Sequence, residues 1–218
     1  MSLPHAPLSV VCFGDSLTWG FNPIDRSRYD HGVRWTRLMQ EELGPEFYVV
    51  EEGLNSRTTV FEDPVMGDKN GLAHLATVLE SHKPIDILVI MLGTNNLKRR
   101  FNMSAVEIAL SMERLIALAL ASGSGPRGAA PKILLMSPPP ANDFSGTAFE
   151  EQFLGEVTQE ISRRLAPLYA SMAETYSIGF FETGSVVKTS AVDAIHLDPD
   201  TQPVLARVIA GKVRELAG

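Results

Sequence analysis

Five short apolar runs recur along the chain, each bounded by turn-forming or polar residues. They cover residues 8–13, 47–51, 85–92, 132–136 and 178–181. Most are rich in Val, Ile and Phe, and several are continuous rather than alternating, which is typical of strands covered on both faces of a parallel sheet. The pattern therefore predicts an open parallel sheet of about five strands.

Segments with helical periodicity or helix-start signals lie between these runs. The predicted helices cover residues 33–43, a segment from the capping box Ser104-x-x-Glu107 to about Gly123, a segment from Thr147-x-x-Glu150 to about Tyr176, and the C-terminal residues from about Pro203. Alternating strands and helices indicate right-handed βαβ units, so we expect a doubly wound α/β fold. Residues 22–32 and 57–70 are expected to form long loops after the first two strands.

Composition limits what such a fold can bind. The chain has 218 residues, which fits a single domain over residues 1–218. Its net charge of −7 argues against a nucleic-acid partner and against docking to anionic lipid, since both require basic patches. No run approaches the length of a membrane span, and the N-terminal residues lack the features of a signal peptide. Because the single cysteine, Cys12, suits a reducing compartment, we expect a cytoplasmic protein.

Polar residues with catalytic potential follow the predicted strands. In open parallel sheets ligands bind at the carboxyl ends of the strands, so residues that follow different strands converge there. The residues are Ser16 after the first strand, Gly53 after the second, Asn95 after the third, and the pair Asp193 and His196 between the fifth strand and the last helix. A hydroxyl, a glycine, a carboxamide and an Asp/His pair are thus expected on one rim.

This set of groups suits acyl transfer. A serine hydroxyl is a weak nucleophile until a base removes its proton, and a histidine does so when a carboxylate holds its other ring nitrogen. Asp193 and His196 are three residues apart, so one turn can bring the carboxylate to the ring. The Ser16 amide, the Gly53 amide and the Asn95 side chain are candidate donors to the oxyanion of a tetrahedral intermediate.

The same residues resemble the sequence blocks of the SGNH (GDSL) hydrolase superfamily. Gly14-Asp15-Ser16-Leu17 resembles its serine block, Gly53 its glycine, Gly93-x-Asn95 its asparagine block, and Asp193-x-x-His196 its closing block. One block alone is a weak signal, whereas four in the family's order along nearly the whole chain are specific. The strings at residues 14–20 and 51–59 resemble more narrowly the arylesterase/acyltransferase branch.

The resemblance implies a flavodoxin-like three-layer α/β/α sandwich with strand order 2-1-3-4-5. It implies Ser16 as the nucleophile, His196 as the base and Asp193 as its partner, with an oxyanion hole formed by Ser16, Gly53 and Asn95. The implied activity is cofactor-independent cleavage of short-chain aryl or acetyl esters through an acyl-enzyme, with transfer to alcohols or peroxide as a further outcome. Relatives in this branch form dimers and larger dimer-based assemblies, so a homo-oligomer is expected.

The chain departs from the family pattern at Asn96, where the asparagine block usually has Asp. That Asp is mostly a structural hydrogen-bonding residue, so we expect activity to survive the change.

Several apolar residues are candidates for the wall of a substrate pocket, with ordinary core packing as the alternative interpretation. They are Trp19, Phe21, Phe149, Phe153 and Ile195. The histidines show no metal-ligand spacing such as His-Glu-x-x-His, so no metal is predicted.

A different class of protein also fits part of the sequence. A flavodoxin-like module could hold a phosphate or a flavin at the loop after the first strand, where Ser16 would only cap a turn. Such a module has no use for Asp193-x-x-His196, and that pair therefore favours the esterase over the binding module. A catalytically inactive relative that acts through protein contacts is a third hypothesis, and the complete set of blocks argues against it.

Overall fold

The computed structural model describes residues 6–218, and it contains a parallel sheet with strand order β2-β1-β3-β4-β5. The strands are β1 (Leu8–Gly14), β2 (Phe47–Gly53), β3 (Ile87–Met91), β4 (Lys132–Ser137) and β5 (Gly179–Glu182). Each lies on one of the predicted apolar runs, with ends shifted by one or two residues. The predicted strand number, direction and order are therefore confirmed.

Seven α-helices connect or flank these strands within residues 6–218. They are α1 (Ser16–Trp19), α2 (Trp35–Leu43), α3 (Gly71–His82), α4 (Ala105–Ala121), α5 (Glu156–Arg163), α6 (Leu165–Tyr176) and α7 (Gln202–Ala217). Not one of them combines the length and apolar character that crossing a bilayer requires.

The sheet lies between two apolar cores because successive side chains of a strand point to opposite faces. In β1, Val11 and Phe13 pack with residues of α3, α4 and α6, whereas Val10 and Cys12 pack with residues of α2 and α7. All four side chains are at most 1% exposed. A strand buried on both sides needs no polar alternation, which explains the continuous apolar runs and confirms the three-layer α/β/α arrangement.

The capping box that predicted α4 is present. Ser104 Oγ accepts the Glu107 amide at 3.2 Å, and Glu107 Oε2 accepts the Ser104 amide at 2.7 Å. Two of the amides that lack partners at a helix N-terminus are thereby satisfied, and α4 begins at Ala105 as the sequence predicts.

The long helix predicted from Thr147 to about Tyr176 is wrong. A 3₁₀ turn covers Glu150–Gln152, Gly155 has φ +51°, and two separate helices follow, α5 and α6. The Thr147 hydroxyl does not cap Glu150 but donates to the Phe144 carbonyl at 2.8 Å, so the chain turns here instead of entering a helix. A second difference is α3, which the sequence patterns did not predict.

The two predicted long loops are present. Between α1 and α2 the only regular pairing among the described residues is an isolated bridge, which joins Phe21 and Arg28. The loop after β2 is closed by a bridge between Thr58 and Asn70. The prediction that the N-terminus lacks a signal peptide concerns in part residues 1–5, which lie outside the described residues.

Candidate active site

Ser16 lies at the carboxyl end of β1, where a sharp turn leads into the short helix α1. Asp15 caps this helix, since its Oδ1 accepts the Leu17 amide at 3.0 Å, and Gly20 ends it with φ +87°. The indole Nε1 of Trp35 donates to the Leu17 carbonyl at 3.0 Å and ties α1 to α2. Ser16 is 6% exposed, and its amide is the first of the helix, so it has no partner inside α1.

His196 lies next to Ser16 because the loop before α7 folds around a carboxylate. Asp193 Oδ1 accepts the amides of Ile195 at 3.1 Å and His196 at 2.9 Å, and Ala194, which directly follows Asp193, has φ +72°. The same carboxylate places Oδ2 2.6 Å from His196 Nδ1, and His196 Nε2 is 2.8 Å from Ser16 Oγ. The three residues predicted to act together are thus joined by hydrogen bonds.

The electrostatics of this chain of hydrogen bonds favour an ionised carboxylate. Burial opposes ionisation of Asp193, but the hydrogen bond and charge of His196, together with two backbone amides, lower its pKa below the usual value. An ionised Asp193 holds the Nδ1–H of the ring, which leaves Nε2 as the acceptor for the Ser16 proton. The arrangement can therefore activate a hydroxyl.

Four of the five predicted pocket-wall residues line a cleft of about 270 Å³ beside Ser16, namely Phe21, Phe149, Phe153 and Ile195. Phe21 stacks on the His196 ring, with centroids 4.1 Å apart and an angle of 26° between the planes, and Phe149 meets the same ring at 5.9 Å. Trp19 is not among the residues that line this cleft. It lies beside Phe21, and the Arg28 guanidinium is 5.3 Å from its ring centroid.

Gly53 has a different surrounding from the one predicted. Gly53 is the last residue of β2, and the next amide, Leu54 N, donates to the Gly14 carbonyl at 3.1 Å. Successive amides of a strand point to opposite sides, so the Gly53 amide points away from β1. A Cβ at Gly53 would lie 2.3 Å from the Trp19 amide nitrogen. This placement indicates that glycine permits close packing of β2 against α1, and it does not support an oxyanion role.

Ser56 occupies the position beside the cleft that was predicted for Gly53. It lines the cleft with φ +66°, and its amide donates to no acceptor among residues 6–218. The sequence offered no signal for Ser56 beyond its place three residues after Gly53. Other cleft residues that the sequence analysis missed are Arg26, Asn55, Met66, Lys98 and Gln152.

Asn95 lines the cleft from a 3₁₀ turn, Thr94–Leu97, that follows β3. Its Nδ2 donates to the Arg57 carbonyl at 3.1 Å and lies 3.4 Å from Asp15 Oδ2. The Arg57 guanidinium donates to the Gly14 carbonyl at 2.7 Å and stacks over the Phe13 ring at 4.1 Å. Arg57 therefore holds together the turns that carry Ser16 and Asn95, and it explains why the string at residues 51–59 contains an arginine.

Asn96 makes structural hydrogen bonds, which is the kind of role expected of the family's Asp. Its Oδ1 accepts the Thr59 amide at 3.0 Å, and its Nδ2 donates to Thr59 Oγ1 at 2.8 Å and approaches Met103 Sδ at 3.4 Å. Asn96 is 0% exposed, so all these polar groups need partners. The carboxamide satisfies them and fixes the turn that presents Asn95.

Asp15 is a buried carboxylate that directly precedes Ser16 in the chain. Burial raises its pKa to about 6, against the lowering effects of the Leu17 amide and of the nearby charges of His196, Lys98 and Arg57. Asp15 is 0% exposed and does not line the cleft.

The sheet order and the hydrogen-bonded Ser, His and Asp side chains define a serine-hydrolase arrangement on a flavodoxin-like sheet. The chain belongs to the GDSL-like lipase/acylhydrolase family, whose model matches residues 12–202. This result confirms the resemblance stated from the four sequence blocks, and it makes the chain a carboxylic ester hydrolase by class.

Two solved structures illustrate the similarity. The inhibitor-bound aryl esterase of M. smegmatis is 37% identical, with a TM-score of 0.91, and the match covers 96% of this chain and 99% of that one. A carbohydrate acetylesterase from Sinorhizobium meliloti is 39% identical, with a TM-score of 0.91 and the same coverage. No curated protein matches the chain.

Proposed function

We propose that the chain is a serine esterase that cleaves short-chain carboxylic esters through an acyl-enzyme on Ser16. One observation carries this proposal: the two consecutive hydrogen bonds from Asp193 to His196 and from His196 to Ser16, of 2.6 and 2.8 Å. A phosphate- or flavin-binding module would not need a hydroxyl, an imidazole and a carboxylate aligned in this way, so the geometry favours the esterase.

The proposed reaction begins when His196 Nε2 takes the proton of Ser16 Oγ as that oxygen attacks the ester carbonyl. His196 then gives the proton to the departing alkoxide, and the acyl group remains on Ser16. In the second half, His196 removes a proton from an incoming water, whose oxygen attacks the acyl carbon. The bond between that carbon and Ser16 Oγ then breaks, His196 returns the proton to Oγ, and the carboxylic acid leaves. Asp193 stabilises the imidazolium in both halves.

The oxyanion of the tetrahedral intermediate would be met by donors from three loops. The Ser16 amide and the Ser56 amide have no acceptor among the described residues, and the Asn95 carboxamide lines the same cleft. Donors that are fixed before the reaction each contribute on the order of 3 kcal/mol to lowering such a barrier. We thus assign to Ser56 the position that the sequence analysis gave to Gly53.

The dimensions of the cleft support small esters. An apolar cavity of about 150 Å³ is sufficient for benzene, so about 270 Å³ accommodates an aryl ester of a short acid. Aromatic side chains on one wall suit an aryl group. The buried Asn55 Oδ1, which has no partner among residues 6–218, suits a hydroxyl of a partly acetylated sugar. The solved relatives, an aryl esterase and a carbohydrate acetylesterase, support the same two substrate types.

We propose acyl transfer to alcohols or peroxide as a second outcome of the same intermediate. Phe21 covers the His196 ring, and His196 is 4% exposed, so apolar acceptors find a favourable surface where water is poorly held. Added alcohol should therefore divert acyl groups from hydrolysis, and the ratio of ester product to free acid measures the diversion.

The test of the main proposal is Ser16→Ala, with Ser185→Ala as a matched control. Ser185 is exposed and lies outside the cleft. Hydrolysis of 4-nitrophenyl acetate should disappear in the first variant and persist in the second, and a fluorophosphonate probe should add its mass to the Ser16 peptide of the unmodified chain. Undiminished turnover by folded Ser16→Ala would rule out the acyl-enzyme on this residue.

We also propose a homo-oligomer, supported by exposed apolar side chains on the two long loops. Ile24 is 69% exposed, Val65 71% and Met66 54%, and Met66 also lines the cleft. A contiguous exposed apolar patch marks an interaction site, and Val65 and Met66 are adjacent in the chain. Light scattering over a dilution series tests the proposal, and a monomeric mass at every concentration would contradict it.

A further inference from the structure

The charged residues around the cleft have the opposite sign to the chain as a whole. The chain carries a net charge of −7. Among the residues described as lining the cleft, however, the only side chains with a fixed charge are Lys98 and Arg26, and no Asp or Glu is present. A positive lining in an acidic protein raises the local concentration of anions and disfavours cations.

Lys98 is a buried cation whose hydrogen-bonding capacity is largely unused. The residue is 5% exposed, and its Nζ is 3.3 Å from Ser56 Oγ. The nearest carboxylate oxygen, Asp63 Oδ2, is 4.0 Å away, beyond hydrogen-bond range. An ammonium has three N–H donors, so donors of Lys98 remain available to a group in the cleft.

Asp63 cannot neutralise Lys98 alone because it is shared with a second cation. Its Oδ2 is 2.6 Å from Arg100 Nη2, and its Oδ1 accepts the amides of Val65 and Met66. One carboxylate therefore serves two cations, and an excess of positive charge remains. Burial and the neighbouring Arg100 lower the pKa of Lys98 to about 8, which still leaves the ammonium charged at neutral pH.

The other nearby carboxylates are committed elsewhere. Asp193 is hydrogen-bonded to the His196 ring, and Asp15 accepts the Leu17 amide. Neither lines the cleft. At the mouth, the exposed Arg26 adds a second cation on the loop after β1.

We propose that the cleft selects esters that carry a carboxylate, with Lys98 as the residue that binds the anionic group and Arg26 as a second cation at the entrance. Half-esters of dicarboxylic acids and acyl esters of hydroxy acids belong to this class. The proposal rests on the esterase activity proposed for Ser16, and it names the charge type of the substrate. Lys98 is a specificity-determining residue here, because the covalent steps use other groups.

Matched pairs of esters test the proposal. One pair is 4-acetoxybenzoate and its methyl ester, which differ in charge on the leaving group. The other is mono-4-nitrophenyl succinate and 4-nitrophenyl butyrate, which differ in charge on the acyl group. In the unmodified chain, kcat/KM for at least one anionic ester should exceed that for its neutral partner. The ratio should fall about tenfold in Lys98→Met, because a charge-assisted hydrogen bond is lost.

The control variant is Lys188→Met, which removes an exposed lysine away from the cleft and should leave the ratio unchanged. Circular dichroism verifies that Lys98→Met is folded. A measurement without any variant tests the contribution of the exposed Arg26: raising ionic strength from about 0.01 M to about 1 M screens exposed charges, so the anionic-to-neutral ratio of the unmodified chain should fall by the part that Arg26 contributes.

The two levels of the argument fail in distinguishable ways. If the unmodified chain turns over neither neutral ester, the proposed esterase activity is wrong. If it turns over the neutral esters but shows no preference for either anionic ester, or a preference that Lys98→Met does not reduce, the charge selection by Lys98 is wrong and the esterase stands.

Discussion

Gly53→Ala tests close packing of β2 against α1 as the role of this glycine. The new Cβ would lie 2.3 Å from the Trp19 amide nitrogen and 2.6 Å from its Cα. These are backbone atoms of the helix that begins with Ser16, so no side-chain rotation relieves the overlap. To restore 3.0 Å, below which Cβ contacts essentially do not occur, the backbone must move by about 0.7 Å.

The displacement has consequences for both stability and rate. Overpacking of this kind typically costs about 2 kcal/mol, which lowers the Tm of a chain of this size by about 4–8 °C. The shift also moves Ser16 relative to His196, and a misplacement near 1 Å can reduce the rate about 100-fold. Thermal denaturation followed by circular dichroism and kcat/KM for 4-nitrophenyl acetate measure the two effects.

Gly211→Ala is the matched control. A Cβ at Gly211, inside α7, would meet nothing within 4 Å, so this substitution should raise stability by about 0.5–1 kcal/mol through helix propensity and leave the rate unchanged. A Gly53→Ala chain with an unchanged Tm and full activity would refute the packing argument.

Three further predictions concern the polar groups of the site. Asp193→Asn should lower kcat about 10,000-fold, because the His196 ring loses the partner that fixes its tautomer. The control Asp200→Asn, at an exposed position, should leave kcat unchanged. Equal kcat values for the two variants in steady-state assays would contradict the role of Asp193. Asn96→Ala should lower the free energy of unfolding, measured by urea denaturation, by about 2–3 kcal/mol, because it leaves polar groups of Thr59 unpaired. Asn96→Asp keeps an acceptor for the Thr59 amide and should therefore lose less stability. Equal losses in the two variants would contradict this account. Burial raises the pKa of Asp15 to about 6 in the folded state, against about 3.8 in the unfolded chain. The folded state therefore favours the protonated carboxyl, and the stability that this preference contributes is fully present below pH 3.8 and is lost as the pH rises through about 6. The free energy of unfolding of Asp15→Asn, measured relative to that of the unmodified chain, should consequently rise by about 1.5 kcal/mol between pH 5 and pH 7.5. If the difference between the two chains does not change with pH, Asp15 titrates normally.

The residues that sequence reasoning located correctly are those whose signals are local. Ser104 and Glu107 define a helix start within four residues, and an apolar run such as that of β1 indicates burial on both faces wherever it stands in the chain. The prediction of one helix from Thr147 to Tyr176 was wrong because Thr147-x-x-Glu150 has the same spacing as the capping box Ser104-x-x-Glu107 without starting a helix. Gly155 adopts a positive φ, which interrupts any continuous helix.

The family's sequence blocks also led to Ser16, Asn95, Asp193 and His196, which the structure brings together. The blocks could not distinguish Gly53 from Ser56, because the two residues are only three positions apart, Gly53 at the end of β2 and Ser56 in the loop after it. Which of the two amides faces the cleft depends on the ladder between β1 and β2. Lys98 belongs to no recognisable sequence motif and is marked only by its position three residues after Asn95. The sequence therefore gave no indication that Lys98 lines the cleft.

The sequence by itself determined the strand positions, the class of fold and the types of reactive group, since apolar periodicity and the order of short motifs are properties of neighbouring residues. Only the tertiary structure decided which groups touch and which charges in the cleft lack an opposite charge. It also decided that Gly53 packs against α1 while Ser56 lines the cleft. These properties depend on distances between loops that are up to 180 residues apart in the chain, as the contact between Ser16 and His196 shows. Such distances are set by how the sheet and its two cores pack.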